Sequence, residues 1–184
     1  MSKIRIVVIT GGSGFGKTSI IRELEQLGYI TCEEFARMLI SQQSREGGIL
    51  PWVDMKRFQQ EVTRLRIGFY RSVRAGQWAF ADRGLPDQLA FTRWRGKKPS
   101  PEFGTILTDY PYYPVVFVTP PWEEIYLRDK VRTEHFAGAV RLHTLICDCY
   151  RERGYTLVEI PKGEAAERAC FILQYLKVQR GEIL

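Results

Sequence analysis

Residues 4–19 read IRIVVITGGSGFGKTS, and the order of residue types in that stretch decides how the rest of the chain is read. The first seven residues form an apolar run rich in β-branched side chains, without polar alternation. That pattern predicts a strand buried on both faces of a parallel sheet. The run stops at glycines. Beyond them Ile20, Ile21, Leu24 and Leu27 recur at helical spacing, and Gly28 suits the residue just past a helix end. Between strand and helix, Gly11-Gly12-Ser13-Gly14-Phe15-Gly16-Lys17-Thr18 matches G-x-x-x-x-G-K-[ST]. At average glycine usage a chance match in a chain of this length is roughly a one-in-a-hundred event. The strand before it and the helix after it are the context that the chemistry of such a loop requires.

That chemistry is phosphate binding. Glycines allow positive φ and bring backbone N–H groups close to an anion, and the helix N-terminus adds partial positive charge. Lys17 is expected to reach the β- and γ-phosphates of a nucleotide, and the Thr18 hydroxyl to hold Mg²⁺. The expected nucleotide contacts are Gly11, Gly12, Ser13, Gly14, Phe15, Gly16, Lys17, Thr18 and Ser19. Phe15 is unusual where small residues are the rule, and it is expected to pack outward or to cover the nucleotide.

Further strands are expected at 29–32, 78–81, 115–118 and 156–160. Helices are expected at 17–27, 34–44, from a cap at Asp54 to about 75, and at 85–94, 134–151 and 163–178. Strands alternate with helices throughout, which implies an α/β fold: a five-stranded parallel sheet with helices on both faces and right-handed crossovers. Ligands in such sheets bind beyond the carboxyl ends of the strands. No repeat or linker divides the chain, so residues 1–184 are expected to form a single domain.

The strand exits carry the candidate chemistry. Asp82 and Arg83 follow the third strand. An aspartate there can hold Mg²⁺ or accept the proton of an attacking hydroxyl, and an arginine can bind an anion bidentately. Asp82 or Asp87 could instead cap the helix from 85. Glu34 and Arg37 follow the second strand, and with Arg83 and Asp87 they are the expected substrate contacts. Residues 119–138 are the expected lid, with Arg128 and Arg132 acting on the transferring phosphoryl group. Arg57, Arg64 and Arg71 share one helical stripe, read first as a solvated face. The basic loop 93–99 carries Trp94, which could stack on a base, although a plain surface loop is the simpler reading.

Bulk properties narrow the classes. Hydrophobic residues make up 45% and charged residues 26%, a globular balance. No apolar run approaches the roughly 20 residues needed to span a bilayer. The net charge of +6 suits polyanionic partners without separating nucleotides from nucleic acid. Cys32, Cys147, Cys149 and Cys170 form no Cys-x-x-Cys pair, and His135 and His143 complete no ligand pattern, so reduced cysteines and a cytoplasmic location are expected. The N-terminus passes directly into the first strand, so no secretory signal is expected.

The sequence resembles the AAA domain twenty-eight family of small P-loop ATPases and kinases, and more loosely ribosylnicotinamide kinase and deoxynucleoside kinase domains. Four segments carry the resemblance: ITGGSGFGKTSIIRELEQLGY at 9–29, Glu34-Phe35-Ala36-Arg37, DRGLPD at 82–87, and the basic stretch 128–134. The phosphate loop alone is generic; its combination with DRGLPD is much more specific. The resemblance implies ATP or GTP with Mg²⁺, an Asp-Arg pair beside an acceptor hydroxyl, and arginines over the phosphates. The leading expectation is therefore a kinase passing the γ-phosphoryl of ATP to a hydroxyl of a small, anionic acceptor, with Lys17, Asp82, Arg83, Arg128 and Arg132 catalytic and Thr18 and Asp82 on the metal. A hydrolase or nucleotide-dependent switch without an acceptor is the alternative. Nucleic acid ranks behind a small molecule as partner, and a monomer or homodimer is expected.

Overall fold

The apolar run near the N-terminus forms strand β1 (Arg5–Thr10), and its side chains divide between two layers. Ile6 and Val8 join one buried cluster, Val7 and Ile9 the other, and all four are fully buried. At roughly 1.5–3 kcal/mol for each buried side chain of this size, β1 is firmly fixed, and so is the root of the loop that leaves it. In this computed structural model the described residues are 4–46, 48–126 and 135–179.

β1 lies at the centre of a five-stranded sheet. It pairs in parallel with β3 (Trp78–Asp82) on one side and β4 (Val115–Val118) on the other. β2 (Ile30–Cys32) continues beyond β3, and β5 (Thr156–Glu159) beyond β4, giving the order β2-β3-β1-β4-β5. The chain builds one side of β1 first and then crosses to the other. That reversal opens a crevice above the carboxyl end of β1, where the glycine loop emerges.

Helices cover both faces, as expected. The Val7/Ile9 face packs on α1 (Lys17–Gln26) and α7 (Ala165–Gln179) through Ile20, Ile21, Leu24, Ile172 and Leu176. The Ile6/Val8 face packs on α4 (Leu85–Trp94), α5 (Pro101–Asp109) and α6 (Phe136–Arg151) through Leu85, Leu89, Leu107, Leu142 and Ile146. A satellite cluster of Leu39, Phe58 and Val62 joins α2 (Phe35–Glu46) to α3 (Met55–Ser72). Among the described residues no helix is long and apolar enough to cross a membrane.

Element boundaries shift by a few residues from expectation. α3 stops at Ser72 because Val73 turns to extended backbone and enters the core. β3 runs on to Asp82, whose pairing with Ile9 keeps it in the ladder. Helix α5 is an addition: Ser100 caps it by accepting from the Phe103 N–H, and Pro101 occupies its first position. The stripe arginines of α3, Arg57, Arg64 and Arg71, are all exposed, in keeping with a solvated face. Arg64 chelates Glu61, and Arg71 both donates to the Tyr110 hydroxyl and lies over its ring.

Candidate active site

The loop from Gly11 to Thr18 is anchored on both flanks by the strands beside β1. Arg83 N donates to Ile9 O at 3.0 Å, and Thr119 N donates to Thr10 O at 2.9 Å. Gly16, at φ 80°, opens α1, and a Cβ there would meet Arg168 Nη1 at 2.6 Å. Gly12 is equally committed: a Cβ would strike the Phe15 ring and lie 2.8 Å from Ala139 O. The first turn of α1 carries no acidic residue and no side-chain cap, so its N–H groups and partial positive charge face the loop unopposed.

Lys17 is the loop's buried cation. Its Nζ donates to Gly12 O at 2.6 Å and Gly11 O at 3.2 Å. Burial, and then the nearby Arg83 cation, push its ammonium down to about 7, with Asp82, Asp87 and Glu34 pulling the other way. A cation kept so reluctantly beside a glycine loop and a helix N-terminus is arranged for an anion that restores its charge.

Phe15 takes neither of the two expected positions. It is fully buried beneath the loop, with ring centroids 6.3 Å from Tyr126, 6.0 Å from Phe136 and 5.9 Å from His143. It anchors the loop and does not cover a ligand, because an outward ring would have left this aromatic socket empty. His143 touches the loop directly: Gly12 N donates to its Nδ1 at 3.4 Å. The proton then belongs on Nε2, which faces Cys147 Sγ at 3.7 Å. Burial, then Lys17, Arg151 and Arg83, push His143 down to about 4, so it is neutral at pH 7 and free to accept. On the far side Arg168, 3% exposed, donates to Phe15 O at 3.3 Å and lies over the Trp122 ring.

Asp82 and Thr18 meet at the mouth of the loop. Thr18 Oγ1 donates to Asp82 Oδ2 at 2.8 Å, while Asp82 Oδ1 is buried and has no hydrogen-bond partner among the described residues. Asp82 does not cap α4. Gly84 is the N-cap, and its N–H donates to Asp87 Oδ2 at 2.8 Å. A buried carboxylate oxygen without a donor costs free energy, and it suits a cation.

Asp87 is corrected from substrate contact to structural hub. It is fully buried, and its two oxygens accept from Thr10 Oγ1 at 2.6 Å, Arg83 Nη1 at 2.8 Å, Tyr150 OH at 2.6 Å and Gly84 N. Burial opposes its charge, but Arg83 and Arg66 outweigh it and hold the carboxyl below the ordinary range. Arg83 is corrected too. At φ 72° it is the positive-φ non-glycine residue of the described chain, and it is 4% exposed. It is turned inward between Asp87 and Gly11 O at 3.0 Å, so it braces the loop rather than offering a free fork to an acceptor. Arg66 of α3, 4% exposed, completes the brace by donating to Gly84 O at 2.6 Å.

Asp87→Asn is expected to lower stability by about 3 kcal/mol, the scale for breaking a buried ion pair. The measurement is denaturant unfolding at pH 7. Because the folded carboxyl sits below its unfolded value, its contribution is present above the unfolded range and fades as pH falls through the folded one. The gap between variant and parent should therefore close on acidification. A gap that is absent at pH 7 would remove the hub role.

Glu34 is half-buried just before α2, close enough for its charge to act on both Lys17 and Arg83. Arg37 follows three residues on, half-buried on α2. Arg128 and Arg132 lie outside the described residues. Sequence reasoning missed Thr10, Arg66, Gln88, Tyr150, His143 and Arg168. One signal was there: Arg66 falls four residues after Val62 and eight after Phe58, inside the apolar stripe of α3, where an arginine implies a buried partner.

A family model described as AAA domain matches residues 6–168, nearly the whole chain. The chain belongs to this AAA domain family. No curated protein matches it. Among the solved structures similar to this AAA domain are several kinases. A shikimate kinase from Acinetobacter baumannii in complex with shikimate aligns over 97% of this chain and 96% of its own, at 18% identity and TM-score 0.56. A deoxyadenosine kinase from M. mycoides with dCMP and dCDP bound aligns over 94% and 99%, at 13% identity and TM-score 0.65. A thymidylate kinase from Candida albicans aligns over 100% and 95%, at 9% identity and TM-score 0.61. At these identities the likeness establishes a shared P-loop kinase-like fold for this AAA domain protein.

Proposed function

We propose that the protein is a Mg²⁺-dependent kinase that passes the γ-phosphoryl of ATP to a hydroxyl of a small molecule. The observation that carries this reading is a buried carboxylate, Asp82, whose Oδ1 has no hydrogen-bond partner among the described residues, in the same site as Lys17 of the glycine loop. The cradle of N–H groups and Lys17 suits the phosphates. Thr18 and Asp82 would hold Mg²⁺, which neutralises charge on the transferring group when bound.

The chain's own residues divide the remaining work. The backbone of 11–16 and Lys17 bind and orient the nucleotide. Asp82 stands where it can take the acceptor proton or steady the metal. Arg83 and Asp87 fix the loop, and Glu34 and Arg37 border the acceptor side. Arg128 and Arg132 are proposed to act from the lid at 119–138. A kinase protects its γ-phosphate from water until an acceptor completes the site.

Hydrolysis of ATP alone is therefore expected to be slow, and one hydroxylated metabolite should stimulate ADP release strongly. A metabolite-library screen read by mass spectrometry tests this. Brisk hydrolysis of ATP or GTP with no phosphorylated product would replace the kinase with the hydrolase or switch.

A further inference from the structure

Arg168, in the first turn of α7, is 3% exposed, and among the described residues no carboxylate pairs with it. Its Nε is buried without a hydrogen-bond partner among those residues, and its Nη2 donates to Phe15 O at 3.3 Å. Burial lowers its proton affinity, and no neighbouring charge raises it again. The acidic side chains of the surrounding segments serve elsewhere or face solvent. Glu167 accepts from Glu164 N, Glu124 pairs with Lys162, and Glu123 and Glu164 are exposed. A fold seldom buries a guanidinium in this way, because only one carbonyl and the Trp122 ring offset its desolvation.

The guanidinium lies directly against the glycine loop where α1 begins. A Cβ on Gly16, the N-cap of α1, would meet Nη1 at 2.6 Å. The Gly16 N–H is among the four that a helix start leaves without an intrahelical acceptor. In a planar trans peptide the C=O and N–H point in opposite directions. Holding Phe15 O toward Arg168 therefore turns the Gly16 N–H away from it. The contact on the other flank of the loop is neutral: His143, kept uncharged chiefly by burial, accepts from Gly12 N. Arg168 brings both direction and charge to the α1 end of the loop.

We infer that Arg168 is a positioning residue of the nucleotide site: it aims the Phe15–Gly16 peptide at the phosphates, and the phosphates are the counter-charge that its buried guanidinium lacks. The inference rests on the reading of the glycine loop as a nucleotide site, and not on the fate of the γ-phosphoryl group. Arg168 acts through the loop, since it is itself closed off from solvent. A polyanion seated on the loop gains from a buried cation behind Gly16, because the protein interior screens little. That gain depends on the phosphates, so it is the same for a nucleotide and for bare tripolyphosphate. An arginine with a purely structural role behaves differently: its removal loosens the fold and leaves phosphate affinity as it was.

Calorimetry on the full chain with Mg²⁺ compares ATP and inorganic tripolyphosphate for the parent, Arg168→Met and Arg168→Lys, and thermal unfolding of each is followed without ligand. Arg168→Met is expected to bind both ligands at least about tenfold more weakly, the scale of one hydrogen-bonded charge. Its melting temperature should not fall, because methionine removes a buried charge that nothing in the empty protein offsets. Arg168→Lys keeps the charge without the fork and should recover part of the affinity. Four results overturn the assignment: unchanged affinity in the methionine variant, a loss for ATP but not for tripolyphosphate, a lysine variant as weak as the methionine one, or a methionine variant that melts well below the parent or fails to fold. The parent judges the nucleotide reading separately. If it binds tripolyphosphate and not ATP, that reading fails, and the variants still decide the part of Arg168 in an anion site; if it binds neither, both fail.

Discussion

Lys17→Ala is expected to lower nucleoside-triphosphate turnover by roughly 10²–10³, the scale on which loss of one preorganised electrostatic group acts. The lysine is held in the loop by two carbonyls, Gly11 O and Gly12 O, and among the described residues by no carboxylate oxygen. Those contacts are exchangeable for phosphate oxygens, so the charge is available to a ligand. Its removal should not unfold the chain. A lysine whose folded value is lowered to about 7 opposes folding at all pH values below its unfolded value, and most fully below pH 7. The alanine variant should accordingly melt no lower than the parent at pH 7. The same shift predicts a proton signal. At pH 8 the empty loop holds mostly neutral amine, and anionic phosphates draw the proton back. Nucleotide binding at pH 8 should take up a fraction of a proton, read as a buffer-dependent calorimetric enthalpy, and the variant should lose that uptake. Unchanged turnover with Mg²⁺-ATP and Mg²⁺-GTP would remove the P-loop assignment.

The sheet and its loop were legible because their signals are local. An unbroken apolar run, glycines at fixed offsets and a helical repeat after them are all visible in residues 4–27. Strand order was not legible, since the pairing of β1 with β3 and β4 depends on contacts far apart in sequence. In the site, Thr18 and Asp82 were found by motif and by position at a strand exit, and the structure brings them to 2.8 Å. Asp87 and Arg83 were also found by motif, but their direction was not. An inward turn at Arg83 requires positive φ, which nothing in DRGLPD announces for an arginine. Tyr150 and Arg66 come from helices whose packing brings them to Asp87 and Gly84. Phe15 shows the same limit. Its type was conspicuous, yet the socket of Tyr126, Phe136 and His143 exists only after α6 docks.

Asp82→Asn is expected to reduce turnover about 10²-fold or more, the usual scale for a positioned acid or base, with a smaller change in nucleotide affinity. The substitution is nearly isosteric, and an asparagine carbonyl can still accept from Thr18 Oγ1, so the local fold should hold. What it removes is charge at a site 1% exposed, beside a carboxylate oxygen that no described residue satisfies. A fold keeps such an oxygen at a cost of about 1–3 kcal/mol unless a ligand later offsets it. The two jobs open to Asp82 leave different traces. If it steadies Mg²⁺, the variant should need more Mg²⁺ for half-maximal rate, and excess Mg²⁺ should restore part of the activity. If it takes the acceptor proton, the Mg²⁺ requirement should stay as it is, and the fall of kcat on the acid side should disappear from the pH profile. Turnover close to that of the parent, with both the Mg²⁺ requirement and the pH profile unchanged, would leave Asp82 only as the partner that orients Thr18.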